Sequence, residues 1–233
     1  MFTAIYNRLA SLNLGLWLLL GVTLLMGIGS FAGGEEASSI NDMPLYFWLR
    51  KTPVAVSWWL WLAIGLLAVL AVNTILCSIE SLRRKYRQTG LLMLLAPQLM
   101  HAGFLFIVLA HMFSAYGGFK QVMQFPEGSS FSFPDGSSAI VENITAKTGP
   151  MGMMTDFSAD IRFGATGGQV KTIRPNDPFF HAGYGLYLKD VGMMQVSVAL
   201  IEAHREPGSG LALAGALLFT IGNIALLAVR RGR

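Results

Sequence analysis

LLMLLAPQLMHAGFLFIVLAHMFSAY, residues 91–116, is the stretch that decides what kind of protein this is. It lies in a window, 88–119, without one Asp, Glu, Lys or Arg, yet it holds two histidines, His101 and His111. About 20 residues of helix cross the apolar core of a bilayer, so the window is long enough to span one. Pro97 either kinks that helix or marks its start after a short interfacial piece. Windows 9–34, 52–79 and 207–229 are also free of charge and long enough to span. With 53% apolar and only 13% charged residues among 233, about half the usual charged share, the chain reads as a membrane protein. Its predicted class is membrane α-helical with four transmembrane helices, and a small extracytoplasmic antiparallel β domain inserted between helices 3 and 4. Residues 1–116 hold three helices (about 14–33, 54–79 and 91–116), residues 117–206 the β domain, and residues 207–233 the fourth helix with a basic cytoplasmic tail.

Charge sets the expected orientation. Arg8, Arg83, Arg84, Lys85, Arg87, Arg230, Arg231 and Arg233 fall on one side of the four spans, against Glu80 alone. The other side takes the remaining nine bases and twelve acids of the 17 and 13 in the chain. Basic loops stay in the cytoplasm, which places both termini and the loop 80–90 inside and residues 117–206 outside a bacterial cytoplasmic (inner) membrane. The net charge of +4 is therefore a topology signal, with a contribution from anionic lipid, and not a nucleic-acid footprint. The first span has a tolerable cleavage site at Ser30-Phe31-Ala32, but it is too long for a typical signal peptide and reads as a permanent anchor.

Residues 117–206 change character, with Gly, Pro, Ser and Asp turns between short alternating runs such as Ser158-Ala159-Asp160-Ile161-Arg162-Phe163. Period-two patterning between turn residues means strands. About six are expected, near 120–125, 130–133, 138–145, 155–164, 168–173 and 184–201, the last in two pieces around Gly192.

No Walker loop, nucleophile elbow or HExxH pair is present, and the lone Cys77 cannot form a disulfide within the chain or a CxxC redox pair. The chain is not expected to be an enzyme by itself. The histidines carry the chemistry, because ionisable groups inside a bilayer are costly and usually functional. His101, about ten residues into its span, is either an imidazole bonding a neighbouring helix or an axial ligand to haem iron. His111 lies ten residues further on; ten residues turn a helix by about 1000°, so the two do not share a face and cannot ligate one metal together. His204, just before the fourth span, can meet His111 across the bundle by depth, as a bis-histidine haem site or as two wetted interfacial residues. His181 reads as a surface or turn residue. Trp58-Trp59-Leu60-Trp61 is either an interfacial aromatic belt or a π-surface for a flat cofactor. Without a CxxCH motif, any haem is a non-covalent haem b.

These residues, in this order, resemble the ResB family of cytochrome c maturation proteins, also called CcsB. The similar pieces are Leu9-Ala10-Ser11-Leu12-Asn13-Leu14-Gly15-Leu16, then Asn73 and Cys77 before the basic run, then His101-Ala102-Gly103. Tyr116-Gly117-Gly118-Phe119, Pro126-Glu127-Gly128 and Gly183-Tyr184-Gly185-Leu186-Tyr187 follow, and Pro207-Gly208 opens the last helix to Arg230-Arg231. The resemblance implies a haem-handling subunit of system II cytochrome c biogenesis. With a CcsA-like (ResC) membrane partner it would carry haem outward and present it to apocytochrome c, with His101 as the transmembrane ligand. The partner's tryptophan-rich motif is not reproduced by Trp58-Trp59-Leu60-Trp61. His111 and His204 fall where the family pattern has no histidine. They keep open an alternative, a haem b subunit of a respiratory complex passing electrons between quinone and an outward-facing multihaem cytochrome.

Overall fold

The computed structural model describes residues 2–31, 40, 43–85, 90–150, 154–164, 168–193 and 195–231. Ala32 of the expected cleavage site, Arg87 and Arg233 of the basic side, and Met194 of the last expected strand lie outside them. The chain forms two compact units, one helical and one of β-strands.

The helical unit holds α1 (Phe2–Leu9), α2 (Leu12–Phe31), α3 (Leu45–Lys51), α4 (Val54–Lys85), α5 (Leu91–Gly117) and α6 (Ser209–Arg231). Of these, α2, α4, α5 and α6 are long and apolar enough to cross a membrane. Their apolar side chains point outward, with Trp17 and Leu213 largely exposed. That inversion needs a lipid solvent, since water would penalise it. At 1.5 Å per residue the 32 residues of α4 make a rod of about 48 Å. It continues through Arg83-Arg84-Lys85, where a loop was expected, and there Arg84 Nε donates to Glu80 Oε1 at 2.5 Å one turn away. The amphipathic α1 meets the same end of α4, where the Tyr6 hydroxyl donates to Glu80.

Helices in lipid pack through small residues that let backbones approach. On α2, Gly29 faces the Trp59 ring so closely that a Cβ there would lie 2.4 Å from it. On α5 and α6, Gly103 and Gly215 face each other's backbone. Helix α2 starts separately from α1 because Asn73 Nδ2 of α4 donates to the carbonyls of Leu9 (2.5 Å) and Ser11 (3.0 Å) at the break. Asn73→Leu would leave both carbonyls unpaired by that donor in an apolar setting. It is expected to cost about 1–3 kcal/mol, read as a lower thermal midpoint of the chain in detergent.

The β unit has β1 (Phe119–Pro126), β2 (Ser130–Ser132), β3 (Ser138–Thr148), β4 (Met154–Phe163), β5 (Val170–Ile173), β6 (Phe179–His181), β7 (Tyr184–Met193) and β8 (Ser197–Arg205). They make two antiparallel four-stranded sheets, ordered β1-β8-β7-β6 and β2-β3-β4-β5. Both sheets feed one core, with Val141, Ile161 and Ile173 from one and Leu186, Ala199 and Ile201 from the other. The unit is therefore a sandwich. The chain changes sheets at Pro126-Glu127-Gly128, where Gly128 takes φ +83° and its N–H donates to Val141 O. The Glu127 carboxylate accepts from Ile144 N. A bulge between Val141 and Asn143 moves the inward face of β3 from odd to even positions. One strand, β6, was not expected from the sequence, and the run 184–201 is two strands, β7 ending at Met193 and β8 running on to Arg205.

Candidate functional site

His101 sits on α5, partly buried, with Nδ1 2.7 Å from Ser78 Oγ of α4. That hydroxyl is a partner on the second span that the sequence analysis does not single out. Its signal was nonetheless visible: Ser78 is the last uncharged polar residue of α4 before Glu80. Two residues of helix are about 3 Å, so His101 lies level with the charged end of α4. On α5, Ala96, Met100, Gly103 and Ile107 form the stripe that meets α6. Residue 101 is about 140° around the helix from residue 96 at 100° per residue, which turns the imidazole away from α6 and toward α4.

Gln98 is one turn before His101 and on the same side of α5. Its Nε2 is buried and has no hydrogen-bond partner among the described residues. A buried orphan donor costs about 1–3 kcal/mol, and Trp59 Nε1 is a second such donor in the helical unit. His101 Nε2 has no partner among the described hydrogen bonds either.

His111 is exposed on α5, and its Nδ1 donates to Ile107 O one turn back at 2.8 Å. His204 is on β8, where Nε2 lies 3.0 Å from Glu206 Oε1. It pairs across the strands with Lys120 and Gly185. The two histidines belong to different units, and each has a partner within two residues or one helical turn.

His181 is a strand residue of β6 and not a turn. Its ring lies 4.9 Å from Phe133 and 5.4 Å from Phe163, centroid to centroid. Nε2 is 2.8 Å from Ser137 Oγ, and that hydroxyl donates to Asp135 Oδ1 at 2.6 Å. Serine, histidine and aspartate are together here, but not as a nucleophile device. In a catalytic triad the carboxylate holds the imidazole nitrogen opposite the serine, whereas here Asp135 accepts the hydrogen bond of the serine hydroxyl itself. The cluster ties the β2–β3 turn to β6 and so joins the two sheets. The hydroxyl and backbone N–H of Ser137, with His181 nearby, hold the Asp135 carboxyl below the usual aspartate range. A depressed carboxyl stabilises the fold above its unfolded value of about 3.9 and stops doing so as pH falls through the folded value. Below about pH 4 the β unit is expected to lose stability, and less so in Asp135→Asn; thermal midpoints against pH check this.

Trp59 is buried against Gly29, while Trp58 and Trp61 are exposed. The cluster thus divides into one packing residue and two outward ones, and Trp59 is not open to a flat ligand. Cys77 is partly buried. Among the described residues no group of three or more His, Cys, Asp or Glu side chains could hold a metal ion. His101 Nε2 and the Gln98 amide are therefore two side-chain nitrogens on one side of α5 without a hydrogen-bond partner among the described residues.

A family model described as the ResB-like family matches residues 86–204, from just before α5 through nearly all of β8, and so includes His101, His111 and His204. No curated protein matches the chain. A solved structure described as cytochrome c heme lyase CcmF is similar at 13% identity and a TM-score of 0.45, over 90% of this chain and 34% of its own. The chain thus spans about a third of that structure's length.

Proposed function

The chain belongs to the ResB-like family, and from that premise we propose that it is a membrane subunit of cytochrome c biogenesis. In this reading it holds non-covalent haem b through His101. With a CcsA-like membrane partner it presents that haem to apocytochrome c. The observation that carries the reading is the Ser78–His101 contact. If Nδ1–H donates to Ser78 Oγ, the tautomer is set and Nε2 keeps its lone pair. A neutral nitrogen aimed by its other nitrogen's hydrogen bond is what an axial iron ligand requires. Haem is the cargo, and it brings the iron that Nε2 ligates and the carboxylates that need donors. His101 supplies one axial position only, which leaves the other to a histidine of the partner.

The test is a reduced-minus-oxidised difference spectrum of the purified chain, alone and with its partner, in wild type and single His→Ala variants. Loss of the b-type signal in His101→Ala alone is the expected result. Loss in both His111→Ala and His204→Ala would instead establish a bis-histidine site and the electron-transfer role with quinone. Wild type without haem, even with its partners, would overturn both. Disrupting the gene should abolish covalent haem attachment to c-type cytochromes while apocytochrome synthesis continues. Loss of one respiratory activity with normal c-type maturation would be the opposite outcome.

The orientation belongs to the same proposal: termini in the cytoplasm of a bacterial inner membrane and residues 117–206 outside. A reporter fused after Arg233 is expected to stay cytoplasmic, and its export would reverse the topology.

A further inference from the structure

Two buried side-chain donors of the helical unit have no partner among the described residues, Trp59 Nε1 and Gln98 Nε2. Trp59 is held by its packing against Gly29, and Gln98 is the one that lies beside His101. A glutamine amide could have turned toward lipid-exposed space or bonded its own helix, as Asn223 does with Phe219 O. Its Nε2 is instead buried and unpaired among the described residues. Only three residues separate it from His101, about 4.5 Å along the axis and on the same side of α5. The direction of that step matters. Helix α5 follows α4 after only residues 86–90, and Ser78 faces His101. Moving from His101 to Gln98 therefore follows α4 from Ser78 toward Arg83, Arg84 and Lys85. That end of α4 also carries Glu80, which takes Arg84 and Tyr6. What it offers an anionic group near Gln98 is the excess of Arg83, Arg84 and Lys85 over that one acid, which lowers the cost of burying negative charge.

Haem carries two carboxylates on one edge of an otherwise apolar disc. We propose that Gln98 is a haem contact in its own right, its side-chain amide donating to a propionate of the haem whose iron His101 holds. The inference rests on the haem reading of His101 and adds the polar end of the ligand to it. It explains why an amide that destabilises the empty chain occupies this place. The orphan donor is satisfied only when the ligand is bound, so the same atom that costs stability without ligand gives binding with it.

The experiment uses the full chain in detergent, titrated with haem and with haem dimethyl ester, following the absorption of the bound form. Gln98→Leu removes the donor and keeps the apolar volume. Its Kd for haem is expected to rise about tenfold, or about 1.4 kcal/mol. Wild type should bind the ester about tenfold less tightly than haem, and Gln98→Leu should not distinguish the two. Without haem, the thermal midpoint of Gln98→Leu should equal or exceed that of wild type, because an unpaired buried donor is gone. Wild type that binds haem and ester alike overturns the proposal without recourse to any variant. So does Gln98→Leu that binds haem as wild type does, or that melts lower without haem, since the amide would then be structural. His101→Ala separates the two levels: if it abolishes binding while Gln98→Leu has no effect, the haem reading stands and this contact falls. If His101→Ala binds haem like wild type, the reading itself falls and takes the contact with it.

Discussion

Gly103→Leu is expected to force α5 and α6 apart and to give one of the largest losses of stability of any single change in the helical unit. A Cβ at residue 103 would lie 2.6 Å from both Gly215 O and Phe219 N, and 2.9 Å from Phe219 Cβ. Two of those atoms are backbone, so no rotamer change can clear them. The relation is reciprocal, because a Cβ on Gly215 would meet Gly103 O at 2.7 Å. Overpacking costs about 1–3 kcal/mol where side chains can shift, and this site belongs at or beyond the upper end. Lipid offers the separated helices no hydrophobic penalty that would push them back together. Even Gly103→Ala should lower the thermal midpoint clearly. Gly65→Ala is the control: nothing lies within 4 Å of its Cβ position, so it should be neutral or more stable by about 0.5–1 kcal/mol from helix propensity. Equal melting of the two alanine variants would show that the close contact does not hold the helices.

In the β unit the largest effect is expected from Ile161→Ala. Ile161 has no exposed surface and lies in the shared core with Val141, Ile173, Leu186 and Ile201. Its removal leaves a cavity between two sheets whose strand ladders resist collapse, at a cost of about 2–5 kcal/mol. Proteolysis within residues 119–205 under conditions of rapid opening and closing should speed up at least about thirtyfold, the equivalent of the lower figure. Val170→Ala is the matching control. Val170 sits on the neighbouring strand β5, with about half its surface exposed at 49%, and its loss should change the rate little. Comparable acceleration in both variants would mean that the sheets do not depend on this core.

The sites that sequence reading reached and missed differ in a physical way. Four charge-free windows were legible because a bilayer imposes a length and a polarity on any chain that crosses it. Alternation exposed most strands for a similar reason, since each has one face in a common core. The three-residue strand Phe179–His181 was missed because it is too short for a period and is bounded by Pro178 and the Ala182-Gly183 turn. Helix α3 was hidden in a segment that reads as an aromatic loop, although Trp48 within it is buried to 1% exposure. His101 stood out as an imidazole in an apolar helix. Ser78 and Gln98 did not, because serine and glutamine near a helix end are ordinary until a neighbour is known.

The charge-free windows and the period-two alternation of the sequence determined that this chain partitions into four apolar helices and one β unit, and the first of these singled out His101. Those properties follow from residues meeting a solvent, lipid or water, and need no knowledge of partners within the chain. Tertiary structure decided which groups meet. It brought Ser78 to His101 across two helices, paired the first strand of the β unit with the last, and set glycine against glycine between α5 and α6. It also left the Gln98 amide buried without a partner among the described residues. The first three are contacts between positions far apart in the chain and the fourth is the lack of one, all set by packing and hydrogen-bond geometry, which no local period in the sequence encodes.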